Sequence, residues 1–473
     1  YSWTVQLSSD LTSQLGEHNQ FEAGISAKLT YLYTYGGTWL QSERMWTTDT
    51  WQYYKVTPIE LGAYLQDKIE FEGMIANAGV RVDVFDPNKK GFIVSNPPDQ
   101  SYSDFYNKIY MSLPGAWGSY ERWQIYKEML ENPPNWPREK NKLQVQISPR
   151  LSVSFPITTE SKLYFNYGHF YQRAPVSFLY NLNVYPSAVT LPNPNLSMGR
   201  TVSYEFGYEQ QFLENFLFNV AFYYKDFRNQ PLSQSYINYY HDNIVTTYVP
   251  DKYKDVRGVE LRFERTFGKW ITFWANYDYM LQSYGQSGLQ KIYENKLEAS
   301  DERRSANLTT TIPLPRAHIN VNLRTPSDWG PKLFDMNILG DIYVNFLFKW
   351  QDGGEMLWNP QESDIKKQQW LDIVDYSNLD MRASKLFKFT GYNVEVVLTV
   401  QNLLNQKRLE VGNMTRNQLD NYKSSLKLPF NEGDKKGDDK WGEWDKSHID
   451  IGWWQAPLFL NPRRVLLGVR IDL

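Results

Sequence analysis

The chain has 473 residues, with 53 Asp+Glu against 50 Lys+Arg and a formal charge of -3, so there is no whole-chain electrostatic case for nucleic acid. It has no cysteine, which excludes a disulfide framework, a thiolate metal site and a cysteine nucleophile. Mean hydropathy is -0.57 and no window approaches the ~18 apolar residues of a membrane helix, which excludes helical spanning only.

Taken in chain order, period-two alternation marks strands at 1–15, 21–35, 54–66, 69–85, 143–156, 161–171, 201–212 and 216–228. It continues at 256–266, 270–281, 316–325, 338–350, 378–388, 392–403 and 464–473. In 270–281 one face reads Ile271, Phe273, Ala275, Tyr277, Tyr279, Leu281, and the other holds Thr272, Asn276 and Asp278. In 338–350 one face reads Ile338, Gly340, Ile342, Val344, Phe346, Phe348. The last segment sets Val465, Leu467, Val469, Ile471 and Leu473 against Arg464, Arg470 and Asp472. These are about fifteen strands of roughly ten residues or more, the length that crosses a bilayer at a tilt.

Short and long connections alternate. The short ones are 16–20, 66–68, 157–160, 213–215, 267–269 and 389–391, with 326–337 somewhat longer. The long ones are about 36–53, 86–142, 172–200, 229–255, 283–315, 350–377 and 404–463. The expectation is an all-β, transmembrane antiparallel β-barrel with short periplasmic turns and long extracellular loops. Aromatics at 16% of residues fit the girdles of such a barrel. An odd strand count cannot close with every neighbour antiparallel, so further strands are expected before Tyr1. The chain opens without a signal peptide, as a mature, truncated or partial sequence does.

Several segments carry more specific wording. Leu61–Phe71 (LGAYLQDKIEF) is followed by Asn77–Asp83 (NAGVRVD), and then by Ser148–Ser154 (SPRLSVS). Asn193-Pro194-Asn195-Leu196 leads into Thr201–Glu209 (TVSYEFGYE). Arg257-Gly258-Val259-Glu260-Leu261, Leu379–Arg382 (LDMR) and Val400–Asn405 (VQNLLN) follow, and Pro462–Leu473 closes the chain. In this order, from about 54 to 473, they resemble the C-terminal barrel of TonB-dependent outer-membrane receptors. The resemblance implies a barrel of about 22 strands with a plugged lumen, so roughly seven strands lie outside this sequence. It also implies an N-terminal plug, a segment that binds the TonB complex, and the cell outer membrane as location. The ending in Leu473 departs from the aromatic terminus of many such barrels.

Candidate site residues concentrate in the last long loop. Asp434, Asp438 and Asp439, with Glu443 and Asp445 nearby, are hard oxygen ligands suited to Ca²⁺. Their spacing matches no EF-hand, and Lys435, Lys436 and Lys440 offset the charge, so a solvated loop is the competing reading. Trp441, Trp444, Trp453 and Trp454 are candidates for stacking on a planar ligand or sugar; the alternative is loop packing or an aromatic girdle. Helical spacing of Trp123, Tyr126, Met129 and Leu130 predicts a loop helix over 119–130, with shorter helices at 363–375 and 413–426. Glu60, Glu70, Asp278 and Glu395 are expected to face the lumen, where the resemblance places a plug.

The five histidines form no ligand spacing, and no nucleophile elbow or Walker loop is present, so the reading is not an enzyme. No cofactor is expected apart from Ca²⁺ at a loop. The resemblance implies a receptor that imports a scarce nutrient (siderophore, vitamin, oligosaccharide or peptide) driven by TonB. Its partners would be its own plug and N-terminal strands, the TonB complex, lipid and lipopolysaccharide, and a surface lipoprotein or other outer-face protein. The competing readings are a structural scaffold binding surface partners, a passive porin and an outer-membrane hydrolase.

Overall fold

The computed structural model describes residues 1–38, 50–95, 136–185, 188–241, 243–305, 310–333, 336–353, 355–358, 369–372, 375–389, 391–406, 408–409, 459–460 and 463–472. One large sheet dominates it. Its wall begins with β1 (Ser2–Leu15), β2 (Asn19–Thr38), β3 (Thr50–Val56), β4 (Ile59–Phe71), β5 (Met74–Asp86) and β6 (Gln144–Thr158). It continues with β7 (Ser161–Gln172), β8 (Gly199–Phe212), β9 (Phe216–Ile237), β10 (Ile244–Arg265) and β11 (Ile271–Gln286). The remainder is β12 (Thr310–Pro313), β13 (Arg316–Arg324), β14 (Ile342–Gln351), β15 (Tyr376–Phe389), β16 (Tyr392–Gln401) and β17 (Arg464–Asp472).

These seventeen segments make fifteen staves, each antiparallel to the next, because β3 and β4 both pair with β2 while β12 and β13 both pair with β11. Proline causes both interruptions, since it has no N–H to give the ladder. The ladder resumes at once: Thr30 N donates to Pro58 O at 3.2 Å, and Leu314 N donates to Met280 O at 2.7 Å. The strand count and the up-and-down order agree with the expectation.

Faces follow from the pairing register. One continuous outer row reads Leu151, Phe165, Phe206, Phe222, Val259, Tyr279 across neighbouring staves or one step along them. Many outward side chains are open to the surroundings, including Leu7 at 76%, Ile25 at 66% and Leu467 at 74%. A belt this apolar is stable against lipid and would aggregate in water. Aromatic pairs mark its two borders. At the short-turn end Phe212, Phe216, Phe263 and Phe273 cluster with centroids 5.3–6.3 Å apart, and Phe389 stacks on Tyr392. Nearer the long-loop end Tyr167, Tyr204 and Tyr224 form a second row, and Trp3 stacks on Tyr31. The step from Tyr204 to Phe212 rises about 20 Å at ordinary barrel tilt, close to the ~25 Å of an outer-membrane apolar band.

The tight turns show how little sequence signal a hairpin needs. Leu213 (φ 47°) and Glu214 (φ 61°) both take the left-handed conformation in the three-residue turn between β8 and β9, without an Asn-Gly pair. Gly16 and Gly391 supply positive φ at two other turns.

Three boundaries differ from the sequence reading. The short connection expected at 66–68 lies inside β4, and the chain turns at Glu72-Gly73, where β4 and β5 close their hairpin. The 338–350 segment becomes a strand only at Ile342; Ile338–Asp341 is a turn, with Asp341 at φ 52°. The excursion 229–255 is itself mostly strand, since β9 and β10 are 22 residues each and run far past the belt. Beyond the membrane no face needs to be apolar, so Ser, Gln, Thr and Tyr keep a β conformation without alternation. Short strands flank this extended hairpin in parallel: Ala188–Thr190 beside β10, and Lys291–Tyr293 beside β9.

β1 and β17 each pair on one side only among the described residues, and nearly all their residues are exposed. Both run from the long-loop end to the short-turn end.

Candidate functional site: the long-loop mouth of the barrel

The inner wall is polar and dense in ion pairs. Glu60 takes Lys28 at 3.3 Å and Arg173 at 2.7 Å. Asp278 takes Arg316 at 2.8 Å and the Tyr223 hydroxyl at 2.7 Å. Glu70 pairs with Lys68. Glu395 lines a polar cavity of 670 Å³ with Asn320, Asn345 and Arg382. All four carboxylates expected in the lumen are therefore on its wall. Nearly all these pairs stay partly exposed, so each is worth little alone and together they keep the wall hydrophilic.

The mouth is narrowed by an inward-folded connection, described over residues 173–185 and 188–198. It begins with the short helix α1 (Val176–Tyr180) and contains the hairpin strand Ala188–Thr190. Its apolar side chains bury against inward residues of the wall: Leu179, Tyr180, Leu196 and Met198 pack with Val56 and Phe85. Tyr180 is 1% exposed, and its hydroxyl donates to Pro87 O at 3.1 Å. Burial pushes that hydroxyl's pKa up, so it remains a donor.

The Asn193-Pro194-Asn195-Leu196 segment is the staple. Asn193 Nδ2 donates to Tyr248 O at 2.8 Å, and its Oδ1 accepts from Asn195 N at 3.0 Å. Asn195 Nδ2 donates to Glu139 Oε1 and Lys140 O, while its Oδ1 accepts from Lys142 N at 2.8 Å. Gln144 from β6 closes the set, donating to Leu196 O at 2.9 Å and accepting from Met198 N at 3.1 Å. Proline before Asn195 fixes an extended approach, and the Asx turn at Asn193 fixes the bend. The wording that carried the family resemblance is thus a loop-docking device. A similar role falls to Asn402 (φ 51°), whose Oδ1 accepts from Gln406 N at 2.8 Å.

Glu139 carries a pH dependence. The Asn195 hydrogen bond, aided by Lys142, holds its carboxyl below the usual range against the opposing effect of burial. A depressed carboxylate pKa stabilises the docked form above the unfolded value, about 4.3, and that stabilisation fades as pH falls through the lower docked value. Spin labels at Ser177 and Ser233 should therefore keep one distance at neutral pH and broaden below about pH 4. Glu139→Gln should flatten that response; a profile identical to the wild type would discard this coupling.

Between α1 and the outer parts of β9–β11 lies a cavity of about 920 Å³. Arg173, Lys252, Lys254 and Lys291 line it, with no carboxylate. Gln172, Gln230, Gln286 and Gln290 add side-chain amides, and Phe178, Tyr253 and Tyr284 add rings. Sequence reading missed this site, because its cations are scattered over 119 positions and meet only through the register of four staves and one loop.

The predicted site residues Asp434, Asp438, Asp439, Trp441, Trp444, Trp453 and Trp454 lie outside the described residues, as do the helix at 119–130 and the helix at 413–426. Of the helix expected at 363–375, the part Gln369–Asp372 is described and is a strand, paired antiparallel with Glu355–Trp358, so the helical expectation fails there. Among the described residues no group of three or more His, Asp or Glu could hold a metal ion. One further helix, Lys296–Ser305, occupies the excursion 283–315.

The sequence matches the family described as TonB dependent receptor-like, beta-barrel, over residues 1–403. The chain belongs to that family, and its place is the outer membrane. The outer-membrane transporter YddB from Escherichia coli is similar at 12% identity and a TM-score of 0.52, over 99% of this chain and 53% of that one. The FrpB iron transporter from Neisseria meningitidis (F5-1 variant) is similar at 11% identity and a TM-score of 0.52, over 99% of this chain and 55% of that one. The chain spans about half the length of these proteins, and at such identity the likeness shows the fold alone. No curated protein matches the sequence. Members of the family are normally non-enzymatic transporters.

Proposed function

We propose that this chain forms part of the membrane wall of a receptor that imports a scarce nutrient, with TonB supplying the energy. The long-loop end faces outward in this reading. The ligand enters at the narrowed mouth, and the polar wall below holds a plug until TonB acts on it. The observation that carries the reading is the joint arrangement of an apolar outer belt, an ion-paired inner wall and an inward-folded loop over a polar cavity. A scaffold needs the first of these and neither of the others. The nutrient classes that fit are an iron chelate, a vitamin, an oligosaccharide or a peptide; the FrpB relative's description as an iron transporter belongs to the same transport class.

Both edge strands run the same way, so an antiparallel closure takes an odd number of further strands, consistent with roughly seven in a barrel of about 22.

The test is uptake. Cells expressing the full-length receptor should deplete at least one polar solute from a complex medium, read by mass spectrometry, and depletion of TonB should abolish it. Uptake that persists without TonB would reassign the barrel to passive conduction, and no depleted solute at all would reject the import reading.

A further inference from the structure

We infer that the mouth cavity selects an acidic oligosaccharide, an inference that rests on the import reading above and names its ligand class. Charge is the first reason. Four cationic side chains line about 920 Å³ and no carboxylate does. Only Arg173 is neutralised, by Glu60 at 2.7 Å. Lys254 lies 5.5 Å from the centroid of the Phe227 ring, and Lys252 and Lys291 make no ion pair among the described residues. Like charges gathered without counter-charge in a concave, partly desolvated site raise the local potential and favour an anion.

The amides are the second reason. A bare inorganic anion is satisfied by cations and N–H donors. Glutamine amides offer a donor and an acceptor together, which suits hydroxyl groups that need both. Four of them face this cavity. Gln230 Nε2 is committed to Arg228 O at 3.2 Å, while the side chains of Gln172, Gln286 and Gln290 have no hydrogen-bond partner among the described residues.

Ring faces are the third. Tyr284 is 42% exposed at the cavity wall, and an amphipathic ring of this kind covers the apolar face of a sugar while its hydroxyl stays wet. The volume lies near the top of the usual range of about 300–1,000 Å³ for small-ligand pockets, room for several linked rings. Pro175 and Phe178 of the inward-folded loop form one side, and Phe178 is stacked on Tyr248 at 4.2 Å, so the wall is held in place before any ligand arrives.

The experiment uses the full-length receptor in detergent. Binding of trigalacturonate, a sulfated chondroitin disaccharide, ferric citrate and neutral maltotriose is measured by calorimetry at two salt concentrations. At least one of the two acidic saccharides should bind about 10-fold or more tightly than maltotriose and weaken as salt rises. Lys252→Glu together with Lys291→Glu should reduce that affinity by about 10-fold or more. A heat-modifiability assay shows whether the variant barrel is folded; if it is not, Lys252→Gln with Lys291→Gln is read in its place. Equal affinity for maltotriose, indifference to the lysine substitutions, or ferric citrate bound in preference to both acidic saccharides would each overturn the assignment. Acidic-saccharide binding without TonB-dependent uptake would leave this inference standing and remove the import reading; the converse would do the opposite.

Discussion

Val220→Arg should destabilise the barrel by about 2–4 kcal/mol, while Asn219→Arg, one position away, should change its stability by less than about 1 kcal/mol. Both residues sit in the part of β9 between the two aromatic borders, and both receive the same side chain. Val220 is on the outer face, between Tyr208 of β8 and Leu261 of β10 in the register, midway between the Tyr204–Tyr224 and Phe212–Phe216 rows. A guanidinium there is held at the depth where lipid is driest, too far from either border to reach water easily. Asn219 points the other way and lines a polar cavity with Glu205, Glu209 and Glu260. An arginine there meets water and a carboxylate. Urea unfolding in lipid vesicles measures both. Equal losses would mean that the two faces see the same medium, and the membrane assignment would fall with them.

The second large effect concerns the inward-folded loop. Leu196→Ala should release residues 173–198 from the wall, with a local loss of about 2–5 kcal/mol, the range for deleting a fully buried leucine side chain. Leu196 is 2% exposed and packs in the same cluster as Tyr180 and Phe85. Asn195→Ala should act in the same direction by about 1–3 kcal/mol, because the backbone N–H of Lys142 and the Lys140 carbonyl lose their partner together. Neither residue belongs to the ladder between staves. The expected signature is therefore faster amide exchange confined to the loop, with the urea midpoint of the barrel unchanged. A lowered midpoint with the loop still protected would show that this segment supports the wall instead of narrowing the mouth.

The two predictions draw on different kinds of legibility. The faces of β9 could be assigned from Phe218, Val220 and Phe222 against Asn219, Tyr223 and Lys225, because a strand that separates lipid from water must alternate. The docking of Asn195 could not. Its wording was recognisable as a family signature, but Glu139, Lys140 and Lys142 lie more than fifty positions away, and nothing local says that they are its partners. The start of β14 at Ile342 was misjudged for a related reason. Ile338 and Gly340 continue the apolar period by accident, and the break comes from the turn at Asp341.

By itself, the sequence determined the fold class, a count of about fifteen staves, the two faces of the segments 270–281, 338–350 and 464–473, and the family. Each of these follows from a period of two or from short-range order along the chain, and lipid enforces that period on every crossing. Only the tertiary structure decided where the mouth narrows and which cations share a cavity. Arg173, Lys252, Lys254 and Lys291 become neighbours through hydrogen-bond register across several staves and through one loop folded inward. Register is a property of strand pairs, and a linear pattern does not carry it.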